Sequence, residues 1–400
     1  MGSWLRRLPR KILDFVPVEP EDRRKVFLNN KTAGKNILFV DYEVPRYDMY
    51  AGSRANYLYL KLLAGLGHNV KLLPADFRGV EPYTTQYEKE GIDVLHGAWF
   101  RKNWHQWIKE VADGLDVVFF NKPDPTTIFL DSFRLNTNAK ILYQMHDLHY
   151  LRLQGKYEIE QDEKLFNIAS IYRKKEEEIF SKADVILTFS SKEKEILLKE
   201  MPDKQIEVVP LYFYEKMSDR KIIFESCEGI LFVGGFGHSP NVDAVNWFVK
   251  DIFPQVVEKI PHVRFFIVGG NPPSRIRDLS SENVKLLGQV SDVELVNIYN
   301  RVRLVVIPLR FGAGVKGKTV EALYHGVPVV STSVGVEGIE DILDIIKPID
   351  DPYEFSNEIV KYYNDIELLR CKAEEARVFV EQKFNYSVAA GLIDRIVRAH

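Results

Sequence analysis

Cysteine is almost absent. The 400 residues hold two, Cys227 and Cys371, which excludes a disulfide-stapled scaffold and fits a reducing compartment. No C-x-x-C and no His/Cys cluster at ligand spacing points to a structural metal. No apolar run of about eighteen residues is present, so the sequence offers no membrane-spanning helix. No G-x-G-x-x-G follows the first apolar run, which argues against a dinucleotide-dependent oxidoreductase. No D-x-D stands at a predicted strand end, so a catalytic divalent metal has no signal. Neither charge dominates: 54 Lys and Arg stand against 57 Asp and Glu, a net charge of -3, and this argues against a general nucleic-acid binder.

The chemistry is concentrated in 308–330, P-L-R-F-G-A-G-V-K-G-K-T-V-E-A-L-Y-H-G-V-P-V-V. The apolar run Leu304 to Ile307 leads in as a buried strand, and Pro308 ends it. Gly312, Gly314 and Gly317 leave backbone amides unshielded, with Arg310, Lys316 and Lys318 interleaved. Thr319 to Tyr324 reads as a helix with Gly326 beyond its end, and Val327 to Ser331 as the next strand. A cationic glycine-rich loop feeding a helix N-terminus suits a phosphate or diphosphate. Glu321, a short way into the helix, can accept hydrogen bonds from both hydroxyls of a ribose. Together they suggest a nucleotide diphosphate; the plainer alternative is a solvated loop with a helix-dipole Glu.

Forty-six per cent hydrophobic residues suffice for two cores, and the length suggests two domains. Residues 1–16 mix Trp4, Leu5, Leu8, Ile12, Leu13 and Phe15 with Arg6, Arg7, Arg10 and Lys11. The segment is too short and too charged for a signal peptide. It either rests on an anionic membrane surface or packs on the protein itself. The expected location is cytoplasmic, and peripheral on the inner face of the membrane if that segment binds lipid. After a polar linker, 36–41 reads as a strand, Tyr42 to Arg54 as a loop, 54–66 as a helix and 67–74 as a strand. Gly52 and Ser53 open that helix, either offering amides to a ligand or with Ser53 as a cap. Aromatics over 76–107, including Trp99, Trp104 and Trp107, are core or an acceptor surface. Strands follow at 116–121 and 140–144.

The second of these runs into M-H-D-L-H-Y-L-R, 145–152. His146, Asp147 and His149 at a strand end can orient hydroxyls, move protons or hold a metal. The charged stretch 160–182 reads as a helix with a solvated face. A strand at 183–189, a helix capped by Ser191 and a strand at 206–211 complete the first half, and 212–228 reads as the linker. The second half starts with a strand at 229–234 and a glycine turn, G-F-G-H-S-P-N, with Gly235 and Gly237. Ser239 or Asn241 is the expected cap of the helix after it. Strands at 263–270 and 283–288 follow, and then a helix capped by Ser291.

With R-F-G-A-G-V-K-G-K-x-x-E-A followed by H-G-V-P-V-V, the chain resembles the retaining glycosyltransferases of family four (glycosyl transferases group 1). The likeness spans nearly all of 36–395 and is most specific over 230–340. It implies an α/β, GT-B fold, with two Rossmann-like doubly wound domains facing each other across a cleft. It implies an arm and linker over 1–35, an acceptor domain over 36–215, a donor domain over 225–375 and a terminal helix, 376–400, crossing back. The implied reaction moves a sugar from a nucleotide diphosphate sugar to a hydroxyl of a saccharide, lipid-linked or protein acceptor, with retention, in polysaccharide or glycoconjugate biosynthesis. No cofactor or metal is implied.

The resemblance gives His146 to the transferred sugar, with Asp147 and His149 matching a D-L-H variant. It gives Arg310, Lys316 and the amides of Gly312, Ala313 and Gly314 to the departing diphosphate. Gly52, Ser53, Gly235, Gly237, Lys318, Thr319 and Glu321 complete the donor contacts, and Gly269, Gln289 and Val290 border the base. There are two departures. Ala313 stands where many members carry the first of two glutamates. Phe236 and Asn241 lie near the places of an Arg and a Lys that hold the diphosphate, so the cationic work falls on Arg310, Lys316 and Lys318. A GT-B sugar-nucleotide epimerase and a non-catalytic nucleotide-sugar-binding scaffold remain as alternatives.

Overall fold

The computed structural model describes residues 34–216 and 222–399. The N-terminal segment 1–16 lies outside the described residues. Two parallel sheets organise the chain. The first contains β1 (Asn36–Asp41), β2 (Asn69–Pro74), β3 (Asp93–Val94), β4 (Val117–Asn121), β5 (Lys140–Met145), β6 (Val185–Thr188) and β7 (Ile206–Val208), in the order β3-β2-β1-β4-β5-β6-β7. The second contains β8 (Ile230–Val233), β9 (Phe265–Val268), β10 (Val284–Gly288), β11 (Leu304–Ile307) and β12 (Val329–Ser331), in the order β10-β9-β8-β11-β12. These strands are short apolar runs because helices cover both faces of such sheets. Every residue of β4 and β11 is buried. Strand order reverses between β1 and β4 and again between β8 and β11, which is where open α/β sheets place ligands.

Phe39 and Phe119 show how the first core is built. They are directly opposed on β1 and β4, fully buried, with stacked rings 4.9 Å apart. Phe119→Ala is expected to cost about 3–5 kcal/mol, read as a lower urea midpoint at unchanged slope.

Helices used below are α1 (Ala51–Gly65), α2 (His149–Glu160), α3 (Glu163–Lys182), α4 (Ser191–Glu200), α5 (Ser239–Trp247), α6 (Asp292–Tyr299) and α7 (Gly317–Tyr324). Helix α1 begins before the expected Arg54, so Gly52 and Ser53 lie inside its first turn and Ser53 caps nothing. Ser190, not Ser191, caps α4 by accepting from the Glu193 amide at 3.2 Å; two adjacent serines fit the pattern equally. The Ser291 cap of α6 is present, as a capping box with Glu294. Helix α2 was not expected, because its first turn carries no local cap.

Packing divides the described residues into two compact units. One is 34–144 with 178–185 and 397–399; the other is 145–177 with 186–396. The sheets change over between Val208 and Ile230, in the stretch read as a linker, but the second unit also takes in the segment after β5. In the first unit the Lys140 Nζ donates to the Ala399 carbonyl at 2.9 Å. No described helix is long and apolar enough to cross a membrane.

Candidate active site

The glycine-rich loop leaves β11 at the reversal point of the second sheet and enters α7. Gly314 adopts φ +69, and a Cβ there would lie 3.0 Å from the His146 carbonyl oxygen and 3.1 Å from the Asp147 Cβ. The loop therefore rests on the His146–Asp147 backbone, and the second unit contains both constellations. The Lys316 Nζ donates to the carbonyls of Gly314 at 2.5 Å and Ala313 at 3.2 Å. It holds the loop's own turn, and burial lowers its pKa.

Lys318, in the first turn of α7, reaches the turn after β8. Its Nζ donates to the Asn241 Oδ1 at 2.5 Å and lies 4.2 Å from the centre of the Phe232 ring. A Cβ on Gly234 would come within 2.6 Å of that nitrogen. Burial, reinforced by Lys316, pushes the Lys318 pKa down to about 7. Among the described residues no carboxylate pairs with it. A desolvated amine with no counter-charge among the described residues, beside a glycine turn, is chemically able to pair with an anion.

The same turn brings three strand ends together. The Asn241 Nδ2 donates to the Gly235 carbonyl at 2.7 Å, so Asn241 ties the turn and does not cap α5, whose N-cap is His238 with no side-chain cap bond. Ser239 is likewise no cap. A Cβ on Gly269 would lie 2.1 Å from the Gly234 carbonyl oxygen, which admits only glycine. The Gly269 amide donates to the Gly288 carbonyl at 2.8 Å, and the Gln289 side chain lies over Gly270. Gly235, Gly269 and Gln289, with Val290 next in chain and the exposed Gly237 in the turn, thus collect at the carboxyl ends of β8, β9 and β10.

Arg310 and Thr319 already have partners in the protein. Arg310 makes a two-point pair with Asp243, Nε to Oδ2 at 2.9 Å and Nη2 to Oδ1 at 2.5 Å, over the Trp247 ring. The Thr319 hydroxyl is buried and donates to the Gly335 carbonyl at 2.7 Å. Glu321 is half-buried one turn beyond Lys318, on the same side of α7. Gly52 and Ser53 belong to the first unit. Trp107 is core, whereas Trp104 is half-buried and stacks on His105.

The His146 ring meets Phe189 edge-on at 5.4 Å. The His149 Nδ1 lies 3.0 Å from the Asp147 Oδ1 and 3.5 Å from the Glu176 Oε1, and the Arg152 Nε lies 3.1 Å from the Asp147 Oδ2. Burial pulls the His149 pKa down, but Asp147 and Glu176 more than offset this and lift it to about 9. Burial alone would raise Asp147; His149, Arg152 and His146 instead hold it well below the usual carboxylate range. A raised histidine pKa gives stability that is full below the ordinary value near 6.5 and is lost as pH rises through about 9. The stability difference between wild type and His149→Gln should therefore be largest at pH 6 and shrink towards pH 9, measured by urea unfolding at each pH.

Four residues escaped the sequence reading. Glu176 lies in the run read as a solvated face yet is fully buried. Glu193 looked like an ordinary first-turn acid yet is 2% exposed. Arg152 binds Asp147. His238 is the N-cap of α5, and its pKa is lowered by partial desolvation and by the charges of Arg152 and Lys318.

Residues 227–365 match the family described as Glycosyl transferases group 1. Over 164 residues the chain is 27% identical to an uncharacterised 44.6 kDa protein in the cps region of Klebsiella pneumoniae, covering 39% of this chain and 42% of that one. The chain thus spans about two fifths of that relative's length. Among solved structures, a glycosyltransferase from Rickettsia africae aligns with a TM-score of 0.66 and 16% identity, over 92% of this chain and 98% of that one. HepE of Anabaena, solved with UDP-glucose, gives 0.64 and 14%, over 90% and 99%. WaaG, a glycosyltransferase involved in lipopolysaccharide biosynthesis, gives 0.63 and 17%, over 91% and 100%. These likenesses establish the fold as GT-B, with two parallel-sheet Rossmann-like domains.

Proposed function

We propose that the protein is a glycosyltransferase that moves a sugar from a nucleotide diphosphate sugar to an acceptor hydroxyl, with retention of configuration. The observation that carries this reading is the contact of the glycine-rich loop with His146 and Asp147, at the strand-order reversal of the sheet matched by the group 1 family. In the reaction the bond from the sugar C1 to the diphosphate oxygen breaks, and the acceptor oxygen bonds to C1 on the same face. The acceptor proton passes to the departing diphosphate. Lys318, the N-terminal amides of α7 and the loop amides stabilise the charge that develops there. His146 and Asp147 orient sugar and acceptor, and Glu321 takes the ribose hydroxyls. With this positive charge in the chain itself, no metal is needed.

The HepE complex with UDP-glucose supports a uridine nucleotide as the first donor to try, and WaaG and the cps-region relative support a polysaccharide or glycolipid acceptor. The matching experiment is incubation with nucleotide sugars, with and without saccharide and lipid-linked acceptors, in EDTA. Acceptor-dependent release of a nucleoside diphosphate, undiminished by EDTA, is the expected result. Isomerisation of the donor alone would instead identify an epimerase.

A further inference from the structure

We propose that Glu176 and Glu193 are positioning residues of the transfer reaction, holding the His146–His149 loop against the glycine-rich loop by three consecutive backbone amides. This role rests on the transfer reading above. The Glu193 Oε1 accepts from the Leu148 amide at 2.9 Å; the Glu176 Oε1 accepts from the His149 amide at 2.9 Å, and its Oε2 from the Tyr150 amide at 3.3 Å. These are amides of the first turn of α2, which the helix itself cannot satisfy.

Helix starts are ordinarily capped by a local Ser, Thr, Asp or Asn. Here the N-cap is Leu148, with no side-chain cap bond of its own. The acceptors come instead from α3 and α4, 26 to 45 residues away in sequence. Both carboxyls are buried, which is costly, and a local cap would have satisfied the helix without that cost. What the distant carboxyls add is a fixed place for the loop. Glu193 is itself anchored, for its Oε2 accepts from the Thr188 hydroxyl at 3.2 Å and its amide donates to the Ser190 Oγ at 3.2 Å. The same loop meets Gly314 at His146 and Asp147. The reacting groups are thus held both by the two carboxyls and by the glycine-rich loop.

The charged groups facing Glu193 are Asp147 and Lys316. Burial and Asp147 push its pKa up to about 8, so the neutral acid predominates at pH 7 and Gln is a close replacement for it. The test uses the full chain with Glu193→Ala, Glu193→Gln and Glu176→Gln. Melting temperature, affinity for UDP, GDP and ADP, and kcat at saturating donor are measured for each. In Glu193→Ala and Glu176→Gln, kcat is expected to fall about tenfold or more, as misplacement of reacting groups does. Affinity for the nucleotide that binds wild type should stay within about threefold, because the Lys318 turn is untouched. Glu193→Gln should recover most of the kcat lost in Glu193→Ala. If Glu193→Ala does not fold, Glu193→Asp, which draws the acceptor back by one methylene, replaces it. Turnover by wild type with kcat unchanged in the variants, or kcat and affinity falling together, overturns the positioning role alone. No turnover by wild type overturns the transfer reading and this role with it.

Discussion

Lys318→Met is expected to abolish tight binding of the nucleoside diphosphate while making the ligand-free protein more stable. Its amine is enclosed by Asn241, Phe232 and Gly234, and among the described residues no carboxylate pairs with it. Removing one side of a buried charge pair costs about 2–5 kcal/mol of affinity, roughly thirtyfold or more. Removing an uncompensated buried charge from the free protein does the opposite for stability. The sign with pH follows from the same burial. With a folded pKa of about 7 against an ordinary 10.5, the unfolded chain holds more protons between those values. Lys318 therefore weakens the fold most below pH 7, and that penalty fades as pH rises towards 10.5. Binding runs the other way. A diphosphate selects the charged amine, so affinity should fall as pH rises above about 7, with a proton taken up on binding. Calorimetry of wild type and Lys318→Met from pH 6 to pH 9 checks both. Arg310 serves as the contrast, since its exposed pair with Asp243 is of a kind worth about 0–1 kcal/mol. An equal loss of affinity in Arg310→Met would move the diphosphate away from Lys318.

Gly314→Ala is expected to lower kcat by about tenfold to a hundredfold, the scale of a misplacement near 1 Å. Two effects combine. The backbone at φ +69 disfavours a side chain by about 1–2 kcal/mol, and the new methyl would press on His146 and Asp147 at 3.0 and 3.1 Å. The loop must shift away from the groups it is meant to face. Gly326 separates the two effects, because it has φ +68 with nothing within 4 Å of a Cβ. Gly326→Ala should lose similar stability and little rate. Equal rates for the two variants would mean that the contact with His146 and Asp147 does not matter to turnover.

The sheets were legible because parallel strands buried on both faces read as plain apolar runs. Asn36 to Asp41 and Leu304 to Ile307 match their strands residue for residue. The glycine-rich loop was legible because glycine and lysine leave a spacing in sequence. What could not be read was partnership across distance. Nothing in R-K-K-E-E-E tells Glu176 from its solvated neighbours, since what marks it is the pair of amides, His149 and Tyr150, that its carboxyl receives from α2. Arg310 and Lys318 look alike as cations in one loop, and Asp243, 67 residues away from Arg310, is what separates their uses. Helix α2 was missed for the same reason, its caps lying on other helices. Asn241 was read as a cap because Asn at a helix start ordinarily is one, whereas here Lys318 and Gly235 claim both ends of its amide.

The most direct measurement is amide hydrogen exchange of the wild type with and without a saturating nucleoside diphosphate. Slower exchange over 312–319 and over 234–241 is the expected result, because the loop amides and the turn beside Lys318 are where the phosphates should sit. Protection confined to other segments, with those two unchanged, would contradict the placement of the donor in this loop.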